Sequence, residues 1–285
     1  EFRRVLFRSD VIAKLPNEAR QIINSDAKII NRLGSNALAN YLLVNKGVYA
    51  RDEDVPVNPA TGERMKAANN KNNGYVYMQA GDPIWVDVNG DYIIDDKDKV
   101  VVGNSQPRLT GGFNANLRYK SFSINTNFSF TIKRDIINKA LADRFAAYGN
   151  PLSKDLNGSG AITPIEAFDF WKEDHIYAKY PNPFDYIRGG TADHQVNFFR
   201  PDQTLFMEDG SFLKINGVSI SYVLPKKVLD FLRVERVQLN ASVNNIYTFS
   251  KYSGVNPENV NSLGYDVSGG YPNSRNYTMG ISIDF

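Results

Sequence analysis

The 285 residues carry 33 basic and 31 acidic side chains, a formal charge of +2, with two His, no Cys, 17 Phe, 16 Tyr and 2 Trp. A balance this even lacks the basic surplus or stripe of a nucleic-acid protein. Zero cysteine excludes disulfide frameworks, thiolate metal sites and Cys nucleophiles, and the isolated His175 and His194 give no basis for a His-ligated zinc or a Ser-His-Asp triad. No apolar run approaches the ~18–20 residues of a spanning helix, which excludes helical membrane proteins but not barrels, whose strands hide a lipid face in alternation.

In chain order, residues 1–9 (EFRRVLFRS) resemble a translated sequencing-adapter scar and are set aside; the opening without Met reads as part of a longer frame. A basic N-terminal arm is the alternative. Residues 10–80 mix short apolar clusters (Gln21-Ile22-Ile23, Lys28-Ile29-Ile30, Tyr41-Leu42-Leu43-Val44) with Asn, Gly and Pro, and read as one or two short strands with surface loops. The polar run 69–74 (NNKNNG) reads as a loop tip.

The segment 81–106 opens with GDPIWVDVNGDYIIDDKD, in which Asp87, Asn89, Asp91, Asp95 and Asp98 take positions 1, 3, 5, 9 and 12 of a calcium-loop spacing. Hard cations need several oxygens, and alternate short carboxylates on a curved loop converge on one point, with the Ile93 carbonyl at position 7 and Ile94 as the apolar anchor at position 8. Two departures stand out: Tyr92 holds position 6, where the turn needs φ > 0 and Gly is usual, and position 12 is Asp98 instead of a bidentate Glu. The competing account has these carboxylates bonding neighbouring backbone N–H groups as Asx-turns. Clustered Asp on a loop lacks the burial that makes a catalytic acid, and no P-loop or dinucleotide fingerprint occurs, so no catalytic residue is assigned.

Over 107–285 the period becomes two. Phe113, Ala115, Leu117 and Tyr119, then Phe122, Ile124, Phe128, Phe130 and Ile132, alternate with Asn, Ser, Thr and Arg around a Tyr119-Lys120-Ser121 corner, which predicts a hairpin. A third strand, 211–224, changes phase at Asn216-Gly217 as a β-bulge would. A fourth carries Val237, Leu239, Ala241 and Val243, and a fifth Tyr277, Met279, Ile281, Ile283 and Phe285. The connections run short, long (134–210), short (225–233), long (249–273), the pattern of a barrel with tight periplasmic turns and extended outer loops. The aromatics near strand ends, Tyr119, Phe122, Tyr222, Tyr247 and Phe285, fit interfacial girdles; ordinary sheet-core packing is the alternative. Within 134–210, Thr163-Pro164-Ile165-Glu166 leading to Trp171 reads as a capped helix start, and Phe168, Phe170, Trp171, Tyr177, Tyr180 and Phe184 read either as sugar- or lid-contacting aromatics or as the loop's own small core. The expected fold is therefore all-β: the C-terminal part of a transmembrane antiparallel β-barrel with long extracellular loops.

Five segments taken together resemble the C-terminal barrel of SusC/RagA-family TonB-dependent outer-membrane transporters: 81–103, 106–130, 207–225, 243–258 and 271–285. Tyr92, where that family usually has Gly, is the departure. The resemblance implies an importer of glycans or peptides in the Gram-negative outer membrane, embedded in lipid, energised by TonB through an N-terminal part outside this chain, and capped by a SusD-like lipoprotein lid. A secreted β-rich adhesin or binding module stiffened by calcium is the competing expectation, and a passive porin a third.

Overall fold

In the computed structural model, residues 6–7, 12–23, 29–36, 39–69, 74–148, 165–184, 196–261, 263–266 and 273–285 are described. Five long strands form an antiparallel wall in chain order: β1 (Leu109–Tyr119), β2 (Phe122–Ile132), β3 (Phe212–Val223), β4 (Arg236–Ser250) and β5 (Asn276–Asp284). A two-residue strand, Leu6–Phe7, extends it beyond β1 by pairing with Thr110 and Leu109, so part of the set-aside segment serves as a sheet partner.

Alternation dictates the wall's two faces. Register aligns Leu117, Ile124, Ile220, Ala241 and Met279 in one row and Tyr119, Phe122, Tyr222, Leu239 and Ile281 in the next. The opposite face aligns Asn116, Asn125, Ser219, Ser242 and Thr278. Each row is chemically uniform because each strand keeps one phase. Where the phase would slip, the sheet bulges: opposite the two-residue step Thr126 to Phe128, β3 uses the three-residue step from Val218 to Ile215, and β4 the four-residue step from Val243 to Tyr247. Asn216 is the extra residue on β3, as its sequence predicts, and Asn245 on β4 takes a left-handed φ of 56°. The Phe130 ring packs over Gly111, whose missing Cβ leaves room for it; a Cβ there would meet the ring at 2.8 Å.

The short connections lie at one end of the wall. Lys120, at φ 52°, turns β1 into β2, and a helix, Lys226–Leu232, fills the link between β3 and β4. At the other end the long links fold into a cap. Its sheets pair Ala39–Leu42 with Ile29–Arg32 and Val100–Val101, Asn45–Val48 with Pro83–Trp85, and Lys66–Asn69 with Gly74–Tyr77 and Ile93–Ile94. The expectation of one or two strands over 10–80 was thus too sparse, because short strands closed by distant partners leave little local periodicity. The tip predicted at 69–74 sits where that hairpin turns, with 70–73 outside the described residues.

Two apolar clusters hold the cap. One gathers Leu43, Tyr49, Val55, Met65, Met78, Trp85, Ile94 and Phe198; the other gathers Leu42, Ile137, Phe145, Phe170, Tyr180, Phe199, Phe206 and Tyr265. Phe145 lies at the centre of the second, with Phe168, Phe170 and Tyr180 edge-on at 4.8 Å between ring centroids. It projects from a helix, Lys139–Tyr148, whose start is capped by Asn138 accepting from the Leu141 N–H at 3.0 Å. The helix expected from Thr163 to Trp171 is instead a single 3-10 turn, Ile165–Ala167; Thr163 and Pro164 lie outside the described residues. A backbone hydrogen bond from Trp171 N to Tyr180 O explains the loss, since it pulls the chain out to bridge with its return limb.

Candidate functional site: the two-faced wall and its cap

The wall's apolar side is exposed along its length, with Leu117 65% and Met279 87% accessible. A water-soluble sandwich would cover such a face with a second sheet; among the described residues none lies over it. Its height fits lipid. From Phe122 to Ile132, ten residue steps of ~3.3 Å carry the strand ~33 Å, which at the ~40° tilt of membrane barrels spans about 25 Å, the thickness of a barrel's apolar band. Aromatics mark both ends: Tyr119, Phe122 and Tyr222 share the lower row, the last two at 4.4 Å between rings, and Tyr247 and Phe249 stack edge-on at 4.6 Å near the upper limit. Of the girdle residues named from the sequence, Tyr119, Phe122, Tyr222 and Tyr247 occupy these two levels, and Phe285 lies four residues beyond Ile281 of the lower row.

The other face is polar without being strongly charged. Asn125 donates to Ser219 at 3.5 Å and Gln238 to Asn240 at 2.8 Å, over a shallow concavity of about 340 Å³ also lined by Ser221, Ser242 and Thr278. Amides and hydroxyls of this kind suit a surface in contact with water or polar protein, as a barrel interior is.

In the acidic loop, every predicted residue lies on one curved segment, and its side chains serve its own backbone. Asp87 accepts from Gly90 N at 2.7 Å and Tyr92 N at 2.8 Å, Asn89 from Asp91 N, Asp91 from Ile93 N, and Asp95 from Lys97 N. Asp98 is fully buried and accepts from Val88 N and Asp95 N; burial pushes its carboxyl up, against the pull of those backbone donors. Tyr92 adopts φ 63°, so the left-handed turn demanded at position 6 is present without glycine. Ile94 is buried in the first apolar cluster, the anchoring expected of position 8. Counting only His, Cys, Asp and Glu, no group of three placed to hold a metal occurs among the described residues.

Behind this loop sits a buried ionic cluster with no signature in the sequence. Asp202 takes both Arg200 Nε and a terminal nitrogen at 2.6 Å and Lys99 Nζ at 2.7 Å, and Lys99 also reaches Asp96 at 2.9 Å. Burial disfavours the Asp202 charge, but the Arg200 hydrogen bonds and charge, with Lys99, outweigh it and hold the carboxyl well below its usual range. Gln203 beside it is also buried and fully used, accepting from Trp85 Nε1 at 2.7 Å and donating to the Phe198 and Arg200 carbonyls.

Of the loop aromatics, Phe168, Phe170 and Tyr180 are cap core, and Trp171 covers Gly81, where a Cβ would meet its ring at 2.8 Å. Only Tyr177 and Phe184 of that set stay exposed. His175 pairs with Asp169 at 2.7 Å, and His194 lies outside the described residues.

An antiparallel sheet with one lipid-height apolar face, one neutral polar face, short turns at one end and a folded cap at the other is a segment of a transmembrane β-barrel. No family model matches the chain. Curated relatives include the TonB-dependent receptors P3 and P39 of Formosa agariphila, each 26% identical over 72% and 78% of this chain, and the TonB-dependent receptor SusC of Bacteroides thetaiotaomicron, 26% identical over 75%. The chain spans only 19–20% of the length of these relatives. Among solved structures, a chain of the RagAB peptide transporter superposes on 96% of this chain with a TM-score of 0.64 at 20% identity, covering 26% of that chain, and the 'open-open' RagAB peptide importer gives 0.63 at 18%. The chain is thus similar in sequence to TonB-dependent receptors, SusC among them, and in fold to a segment of the RagAB transporter barrel.

Proposed function

We propose that this chain supplies part of the barrel wall and outer cap of a TonB-dependent importer in the Gram-negative outer membrane, not an enzyme, that takes up glycans or peptides with a SusD-like lipoprotein. The two-faced wall carries the reading: its apolar rows match a bilayer in height, and the cap gathers at the end opposite the short turns. The SusC name and the peptide-importing RagAB complex support the partner and the substrate class. Two measurements test it. The intact protein is expected in the outer-membrane fraction as a heat-modifiable species, and uptake of labelled oligopeptides or oligosaccharides should cease on disrupting tonB. Recovery as a monodisperse soluble protein would favour the secreted binding module, and uptake indifferent to tonB the passive porin.

Calcium in the loop from Asp87 to Asp98 is a second proposal, resting on its oxygen spacing and the left-handed Tyr92. Asp87, Asn89, Asp91, Asp95 and Asp98 with the Ile93 carbonyl would hold it, stiffening the loop at ~10⁻⁴–10⁻³ M affinity. Proteolysis of the intact receptor should slow at this loop with millimolar calcium; identical digestion with calcium and with chelator rejects it.

A further inference from the structure

The link between β3 and β4 contains a feature the importer reading leaves unused. Helix Lys226–Leu232 buries none of its side chains, and Phe231 is 85% exposed, more than any other described Phe except Phe285. Val228, Phe231 and Leu232 fall at i, i+3 and i+4, one stripe of a helix, and all three are exposed. Lys226 and Asp230 project from the opposite side, Lys227 stands at the border, and Arg233 follows as a left-handed cap at φ 55°. So short an element has no reason to display three large apolar groups to water.

Its place in the wall indicates what covers them. The helix leaves β3 after Leu224, which shares the outward phase of Tyr222, and returns before Val237, whose carbonyl accepts from the Leu224 N–H at 3.0 Å. Val237 belongs to the outward row yet is 6% exposed, whereas Leu239, the next outward residue, is 40% exposed. The link that leaves and returns beside Val237 carries the helix, which therefore sits at the foot of the outward row. The stripe thus continues the apolar face just beyond the lower aromatic row of Tyr119, Phe122 and Tyr222.

We infer that this helix lies flat in the headgroup region of the bilayer on the short-turn side, Phe231 and Leu232 among the acyl chains and Lys226, Lys227 and Arg233 among the lipid phosphates, fixing the depth of the wall. Interfacial helices combine such a stripe with basic flanks and bury ~5–10 Å into the headgroup boundary, and Lys and Arg reach the phosphates while their stems cover apolar surface. The occupant is phospholipid, because the patch is continuous with the lipid-facing wall and is bordered by three cations against one acid.

The inference rests on the lipid-wall reading, so its test carries a control for that reading. Phe231→Trp and, separately, Tyr277→Trp, from a row at mid-height of the apolar face, are placed in the intact receptor and reconstituted in nanodiscs of phospholipid brominated either near the headgroup or deep in the acyl chain. Added fluorescence from Phe231→Trp should be quenched more strongly by the shallow bromine, and that from Tyr277→Trp by the deep one. Val228→Trp repeats the first measurement should Phe231→Trp fail to assemble. Quenching at 277 but none at 231 and 228 overturns the helix placement and assigns the stripe to water, or to a protein partner if the emission is blue-shifted. No quenching at any position overturns the wall reading as well.

Discussion

Asp202 is the single side chain on which the buried ionic cluster turns. It pairs with Lys99, 1% exposed at its side chain, and with Arg200, and the more exposed Asp96 reaches both cations. Asp202→Ala strands two cations in the cap and should cost ~3–5 kcal/mol, the usual penalty for halving a buried pair; the loss would appear as faster proteolysis of the cap, with the wall unaffected. The pH dependence has a defined sign. A carboxyl whose folded value is depressed gives stability that is complete above the ordinary ~3.9 and is lost as pH falls through the depressed value. The cap should therefore hold from neutrality to about pH 4 and loosen below it, with Asp202→Asn removing that acid transition. Asp98 acts with the opposite sign: its raised value means the folded state binds the proton more tightly, so its ionisation weakens the loop on the alkaline side of that value. Neither charge was legible beforehand, because Lys99 and Asp202 are far apart in sequence and carry no motif. The loop acids were legible as a spacing, and the Asx-turn alternative named with it describes the bonds that each carboxylate makes to a backbone N–H.

At the scale of elements, the bulge passing from β3 to β4 keeps Leu213 and Ile215 on the same side as Val218, Ile220 and Tyr222. Deleting Ser219, in the regular part of β3 beyond the bulge, forces the part of the strand on one side of it to turn its side chains over, since a one-residue slip exchanges faces. Heat-modifiable assembly should be abolished, whereas Ser219→Ala, which keeps the count, should assemble normally. Phe145 is the corresponding point in the cap: truncation to Ala empties the centre of five aromatic neighbours and should cost ~3–5 kcal/mol, read as a lower urea midpoint for cap proteolysis. These two elements also divide what the sequence revealed. The wall was legible down to its bulge because period two is a local property. Helix Lys139–Tyr148 was not read from the sequence, although Asn138 ahead of an Ala-rich run is a start signal; of the cap core, Phe168, Phe170 and Tyr180 were legible as one of two alternatives, and Phe145 was not, because it meets Phe206 and Tyr265 only through the fold.

For the whole molecule, the opposed faces make a comparison between adjacent residues decisive. Val218→Lys puts a charge near mid-height of the lipid face and should cost ~2–4 kcal/mol, while Ser219→Lys, one residue on, enters the polar interior and should be tolerated. Folding yield into bilayers measures both, and equal outcomes would reject the assignment of faces. The wall has a further implication at its margins. Among the described residues β5 bonds along one side to β4 and has no partner strand on its other side, and β1 is covered beyond β2 only at Leu109 and Thr110. Each backbone amide or carbonyl left bare in hydrocarbon costs several kcal/mol, so the sheet cannot enter a bilayer until further strands close it. Before that closure its hems are sticky templates for one another, and the 285-residue polypeptide diluted alone from urea should scatter light more than in proportion to its concentration.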